Sequence, residues 1–313
     1  MHTRQNASSM IPNQISKFMN AILALKNDTI VTPAGISTNV YDQFVAIHYG
    51  LIERIRDGAR IGDGGHGDAA FLAWHREYIL RFEQALQRID SSVFLPYWSW
   101  ESTNSSDTDS IFVNDFMGPM GTITDGYLSE SPSTLNPNGW RVNLDLEQVS
   151  IGTRLTRDPF NSSSLTRIAD AGRNSLGKTS FTGRNGFRRS LERPHGLIHI
   201  TIGGHMAAMT SPNDPIFFLH HANIDRLWAK WQINNPGDTN YPSSTTRYGH
   251  ALDDLMWPWD GGESRIQGNT LRDRRRDKML PYLPGVDRND NRRPRDVLDI
   301  EALDYVYDDV RGS

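Results

Sequence analysis

"RPHGLIHITIGGHMAAMTSPNDPIFFLHHANIDRLW", residues 193–228, holds five of the chain's ten histidines within thirty-six residues. "GHGDAAFLAWHREYILRFEQAL", residues 65–86, holds two more. Both stretches interleave imidazoles with apolar residues, where a core normally excludes unpaired polar groups. His195 and His199 are four apart, so a helix through "HGLIH" projects both rings from one face, one turn apart. His220 and His221 adjoin; on a helix their rings diverge by about 100°, so one of the two can join a shared site. "PNDPIFF" places that pair at the start of a helix that runs on to Asn235 and ends at Pro236. His75 sits between Trp74 and Arg76 in the longest apolar-periodic stretch, and His48 follows "FVAI" in another. His66 lies in "DGGHGD", where glycines let a tight loop bring an imidazole close to a helix.

Working outward, apolar residues at spacings of three and four predict helices over Ile15–Lys26, Val40–Asp57 (stopping at Gly58), Ala69–Asp90 and Asn223–Asn235. Polar loops at 102–110 and 129–139 separate them, and loops this long inside a compact domain tend to cover a site. No repeat or linker divides the chain. The expectation is one mainly α domain over residues 1–313: a four-helix bundle with long loops and little sheet. Eight Trp, ten Tyr and twelve Phe supply a sizeable core. With 33 Lys and Arg against 37 Asp and Glu, there is no charge excess to attract nucleic acid. The basic run at 265–278 is offset by an acidic stretch from Asp296 to Asp309, a solvated surface pattern. No segment approaches the roughly 18 apolar residues of a membrane helix, so neither nucleic acid nor membrane is the expected partner. The first residues lack a secretory pattern, which leaves a cytoplasmic protein or a mature secreted form as the expectation.

Taken singly, each histidine is more often a surface or hydrogen-bonded core residue than a ligand. Taken together, three from the first part (His48, His66, His75) and three from the later part (His195, His199 and one of His220 and His221) point to convergence. The chain has no cysteine, which excludes thiolate sites and thiol nucleophiles. All-imidazole ligation suits copper, zinc or iron and is disfavoured for calcium and magnesium. Three nitrogens satisfy a cuprous ion and leave a face open to oxygen. A zinc hydrolase on the helical H-E-x-x-H pattern needs Glu directly after its first His, and here that residue is Gly196. A helical binding protein with incidental histidines is the remaining alternative, and copper analysis separates the two.

Beyond these residues, "FLAWHREYILRFEQALQ", "LPYWSWE", "FRRSLERPHGLIH", "IGGHMAAMTSPNDPIFFLHHANIDRLWAKWQ" and "LDYVYD" together resemble the bacterial tyrosinases, the type-3 dicopper polyphenol oxidases. The resemblance extends over essentially the whole chain. It implies two copper ions per chain, one on His48, His66 and His75 and the other on His195, His199 and His221, with dioxygen as co-substrate. It implies small phenolic substrates: catechols oxidised to ortho-quinones and monophenols hydroxylated at the ortho position. His220, Asp214 and Asp225 would lie behind the ligands and orient them. Glu192 would help a water to take the phenol proton, while Ile200 and Met209 would shape the entrance. Two departures stand out. Gly196 occupies a position where relatives often carry Asn, a second holder of that water, and fewer residues than usual separate Glu192 from His195. An oxidase of catechols or ortho-aminophenols without monophenol hydroxylation is the nearest alternative, ahead of an oxygen carrier of the hemocyanin type. No pattern in the chain marks a copper-delivery partner.

Overall fold

In the computed structural model the described residues are 1–31, 37–51, 54–56, 59–142, 154–159, 162–236, 241–245, 247–260, 265–266 and 290–310. Most of the basic run (267–278) and the expected helix stop at Gly58 lie outside them. The helices are α1 (Pro12–Asn27), α2 (Val40–Tyr49), α3 (Ala70–Ile89), the short α4 (Ser106–Asp109), α5 (Ser162–Ser175), α6 (Phe187–Ile202) and α7 (Ile216–Asn234). Strands are brief: β1 (His2–Arg4), β2 (Thr29–Val31), β3 (Ser37–Asn39), β4 (Arg54–Arg56), β5 (Ala59–Gly62), β6 (Arg265–Ile266) and β7 (Tyr305–Tyr307). The expected helical bundle with little sheet is therefore the observed architecture, with α2, α3, α6 and α7 as its central helices.

Two boundaries and one whole helix differ from the sequence reading, each for a local reason. The second helix ends at Tyr49 rather than Asp57: Gly50 caps it, the Leu51 carbonyl turns back to accept the Gly64 N–H at 3.2 Å, and Arg54–Arg56 pairs antiparallel with β5. The last helix starts at Ile216, four residues ahead of the His220–His221 pair that was expected to stand at its start. Pro215 stands at its N-cap, and the Asp214 carboxylate accepts the Ile216 N–H at 3.2 Å, which satisfies one of the free donors of a first turn. Helix α5 was not anticipated, because its inward residues (Leu165, Ile168, Ala169, Gly172) are few and small in a polar run. Gly172 is needed there, since a Cβ would come within 2.6 Å of the Trp100 ring.

Beneath α3 and α7 the two ends of the described chain meet. Strand β1 pairs parallel with β7, His2 opposite Tyr305 and Arg4 opposite Tyr307. Arg4 is fully buried and donates to Glu83 (Nη2 to Oε2, 2.6 Å) and to Asp225 (3.2 Å). Asp225 also accepts from Arg76, from the Tyr305 hydroxyl at 2.6 Å and from the Tyr307 hydroxyl at 2.7 Å. Burial alone would raise the Asp225 carboxyl, but the two guanidiniums and two hydroxyls outweigh it and hold it below the usual carboxylate range. Arg76 lies over the Trp228 ring, 3.7 Å from its centroid, and donates to the carbonyls of Val297 and Leu298. This network explains "LDYVYD": its two tyrosines close the charge cluster between α3 and α7.

Removing one member of such a network leaves buried charge uncompensated, a loss of about 3–5 kcal/mol. Asp225→Ala is accordingly expected to lower the unfolding free energy of the copper-free protein by that order. Tyr305→Phe, which deletes one hydrogen bond, should cost about 1 kcal/mol. Equal small effects from both variants in urea unfolding would show that Arg4 and Arg76 find other partners.

Candidate metal centre

Four helices and one loop deliver seven imidazoles to one place. Helix α2 carries His48 in its last turn, α3 carries His75, α6 carries His195 and His199, α7 carries His220 and His221, and the loop before α3 carries His66. They form two groups, His48–His66–His75 and His195–His199–His220–His221, with the ligand atoms of each group within 4.8 Å of one another. The groups face each other: the rings of His75 and His221 stack at 4.3 Å between centroids and 13°, and His66 lies 6.5 Å from His195.

Which nitrogen each ring presents is decided by its other nitrogen. His48 Nδ1 lies 2.8 Å from the Met209 carbonyl, His75 Nδ1 2.7 Å from that of Phe71 and His199 Nδ1 2.8 Å from that of Met206. His195 Nδ1 is 3.3 Å from the Glu192 carbonyl. A carbonyl oxygen can only accept, so each Nδ1 carries the proton and each Nε2 keeps a lone pair. His66 Nδ1 donates instead to the Asp63 carboxylate, at 3.1 Å from both oxygens. His221 has no Nδ1 partner among the described residues; its ring is held between His75 and Phe217, the latter at 4.1 Å.

The consequence is a set of lone pairs pointing at one another. Nε2 of His199 lies 3.1 Å from Nε2 of His195, and His221 Nε2 lies 3.3 Å from each. Nε2 of His48 and of His75 is buried without a hydrogen-bond partner. Proximity of this kind is unfavourable until a cation sits among the nitrogens. Separations near 3.3 Å are the edge expected of a shell with metal–nitrogen bonds of about 2.0–2.1 Å. The donor set fits a metal ion at each trio.

Electrostatics agree. Burial, reinforced by neighbouring imidazoles, pushes His48 down to about 3 and His75, His195 and His221 well below the ordinary value. Burial likewise takes His199 down to about 4. These rings are neutral at pH 7, the state a metal requires. His66 is the exception: burial would lower it, but the Asp63 carboxylate outweighs burial and raises it. Asp63 answers in kind; burial would raise it, yet His66 and the Gly65 N–H hold it at about 2.

The other residues singled out in the sequence divide. His220 is fully buried, stacked on His195 at 5.1 Å and 7°, and makes no ring-nitrogen contact of the kind that joins His195, His199 and His221. Asp214 and Asp225 do not orient imidazoles directly, contrary to expectation. Asp214 is taken by Arg157, which donates to both of its oxygens at 2.8 Å, and Asp225 by Arg4 and Arg76. A guanidinium fork satisfies a buried carboxylate more completely than one imidazole N–H does. Met209 meets the site through its main-chain carbonyl, and Ile200 is 65% exposed on the outer side of α6. Glu192 Oε1 accepts the Gly67 N–H at 2.6 Å, next to His66, while its other oxygen pairs with Arg188. A Cβ built on Gly196 meets no atom within 4 Å.

Several site residues escaped the sequence reading. Phe71 and Phe217 are fully buried against both trios: Phe71 is 5.1 Å from His75 and 4.7 Å from His195, and Phe217 is 5.0 Å from His48. Each precedes a histidine of the cluster by four residues, a helical signal that was present in the sequence. Asp63 and His250 carried no such signal.

Residues 38–234 match the common central domain of tyrosinase. The tyrosinase of Streptomyces glaucescens is 34% identical over 271 residues, covering 83% of this chain and 93% of that protein.

The chain belongs to the tyrosinase family.

Among solved structures, a functional unit of octopus hemocyanin superposes over 99% of this chain and 69% of its own, with a TM-score of 0.68 and 21% identity. A mutant polyphenol oxidase from Thermothelomyces thermophila covers 82% of each chain with a TM-score of 0.58 and 20% identity. Those two likenesses are of fold. In this tyrosinase-family chain the helical bundle and its histidine groups are the features of a dicopper protein. No helix among the described residues is long and apolar enough to cross a membrane.

The neutral cluster makes acid sensitivity a consequence of the fold. The folded values of His48 (about 3) and His199 (about 4) lie below the ordinary 6.5, so the unfolded chain takes up protons first. Stability from these groups is complete above pH 6.5 and is lost as pH falls toward 4 and then 3, by up to about 1.4 kcal/mol per group per pH unit. The melting temperature of copper-free protein should therefore fall between pH 6.5 and 4. A level profile across that window would contradict neutral, buried rings.

Proposed function

We propose that the chain is a copper-dependent phenol oxidase, with one copper on His48, His66 and His75, a second on His195, His199 and His221, and dioxygen as co-substrate. The observation that carries this reading is the opposition of two imidazole trios whose Nδ1 atoms are almost all engaged outward, leaving Nε2 lone pairs inward. When bound, the copper pair supplies the oxygen activation and electron transfer that side chains lack. Two catechols and one dioxygen give two ortho-quinones and two waters. A monophenol and one dioxygen give one ortho-quinone and one water, one oxygen atom entering the ring.

The protein's own residues do the remainder. Phe71 and Phe217 wall the trios with apolar surface and keep water from the rings. Glu192, one turn before Gly196 on α6, is assigned to hold the water that receives the phenol proton. Its carboxylate already accepts from Gly67 and Arg188, so its position is fixed while its remaining lone pairs stay available.

Copper analysis should give two ions per chain, with an absorption band that appears on adding oxygen. His75→Ala and His221→Ala are each expected to abolish turnover by opening one shell. His220→Ala should cost less than His221→Ala, and a reversed order would exchange the roles of the pair. Oxygen uptake with a monophenol, a catechol and an ortho-aminophenol side by side then tests the reaction class. Uptake with none of the three would overturn it.

Gly196 bears on the balance of the two reactions. Glycine offers no side chain to share the water held by Glu192, and deprotonating a phenol of pKa about 10 is the step that suffers. Catechols engage through two hydroxyls and depend on it less. A Cβ at Gly196 meets no neighbouring atom within 4 Å, so a side chain can start there without a clash. Gly196→Asn is expected to raise the monophenol-to-catechol rate ratio several-fold, below the roughly 10²–10⁴-fold of a complete general base. A flat ratio at constant copper content would show that Glu192 needs no neighbour.

A further inference from the structure

Five of the six converging imidazoles leave helices, whereas His66 leaves a loop. A loop restrains a side chain less than a helix does, so the aim of this ring depends on what holds the loop. The chain has no cysteine, so no covalent thiol tether is available. The holding group is Asp63. Its carboxylate receives the His66 Nδ1–H, and its Oδ1 also receives the Gly65 N–H at 2.8 Å. Asp63 is in turn held by its carbonyl, 2.9 Å from Nε2 of His250.

His250 has a second contact that makes this bond structural. Its Nδ1 accepts the N–H of Ala70 at 3.2 Å. Ala70 is the first residue of α3, and Ala69 at the N-cap has no side chain to satisfy the free donors of that first turn. Because Nδ1 accepts, the ring proton sits on Nε2 and is donated to Asp63. One neutral tautomer therefore joins the base of the His66 loop to the start of the helix that carries His75. Those two rings belong to the same trio. His250 is fully buried and reaches this place from 180 residues away in the chain.

We infer that His250 is a positioning residue for the first copper site: through Asp63 it fixes His66 relative to His75, and the second trio does not depend on it. The inference rests on the dicopper reading above. Partners that orient metal ligands typically contribute about 10–100-fold to metal affinity. His250→Phe keeps a ring and removes both bonds, whereas His250→Gln offers an amide donor and acceptor in their place.

The test measures cuprous-ion affinity by chelator competition in two full-length backgrounds. His199→Ala leaves only the first trio complete, and His75→Ala leaves only the second. His250→Phe is expected to weaken copper binding about tenfold or more in the first background and to leave the second unchanged, with His250→Gln recovering most of the loss. Equal weakening in both backgrounds, with a matching fall in copper-free melting temperature, would reduce His250 to a general packing residue and overturn the inference. So would unchanged affinity in the first background. Should His250→Phe not accumulate as folded protein, Asp63→Asn enters the same comparison, with the same selective loss expected. A parent chain that takes up fewer than two coppers would instead refute the dicopper reading, a result read before any variant is made.

Discussion

An imidazole becomes a metal ligand only when one nitrogen is turned toward the metal with its lone pair free, and here that is imposed from outside the cluster. Carbonyls of Phe71, Glu192, Met206 and Met209 and the carboxylate of Asp63 take the Nδ1 protons, so the Nε2 atoms have nowhere to look but inward. Two of those carbonyls come from one short segment between α6 and α7, Met206 serving His199 and Met209 serving His48. One piece of backbone thereby orients a ring in each trio. That segment starts at Gly203 and Gly204, both at positive φ, where a Cβ would meet Asp158 and the Thr156 carbonyl. Only glycine turns the chain there without strain.

The distance between the trios is set elsewhere. Helices α3 and α7 carry His75 and His221, and the pair is locked from below by Arg4, Arg76 and Asp225, sealed by Tyr305 and Tyr307. Buried ion pairs are poor sources of net stability, because desolvation cancels much of their attraction. Their geometry, however, admits little sliding: a one-residue shift of either helix would strand charges in the core. The cluster therefore acts on register more than on stability, and register is what keeps two sets of neutral rings face to face.

Much of the site was legible because helices repeat. The i, i+4 spacing of His195 and His199 and the apolar periodicity around His48 and His75 placed four of the rings on helices. The same spacing, applied to Phe71–His75 and Phe217–His221, would have found the aromatic walls. Helix α5 was hidden by its small, sparse apolar residues, and the end of α2 by a hydrophobic pattern that continues past the point where Gly50 lets the chain turn.

Composition, spacing and the absence of cysteine determined a helical protein with clustered histidines and no thiolate chemistry, since those properties reside in residue type and in the 3.6-residue period. The tertiary structure decided how each ring is held. Asp214 and Asp225 face arginines instead of histidines, Met209 contributes a carbonyl instead of a thioether, and His250, silent in the sequence, ties the His66 loop to α3. Those partners are joined across as many as 221 residues of chain, as Arg4 is to Asp225. No local pattern encodes them, because a hydrogen bond depends on where two groups meet in space and not on how far apart they stand in the sequence.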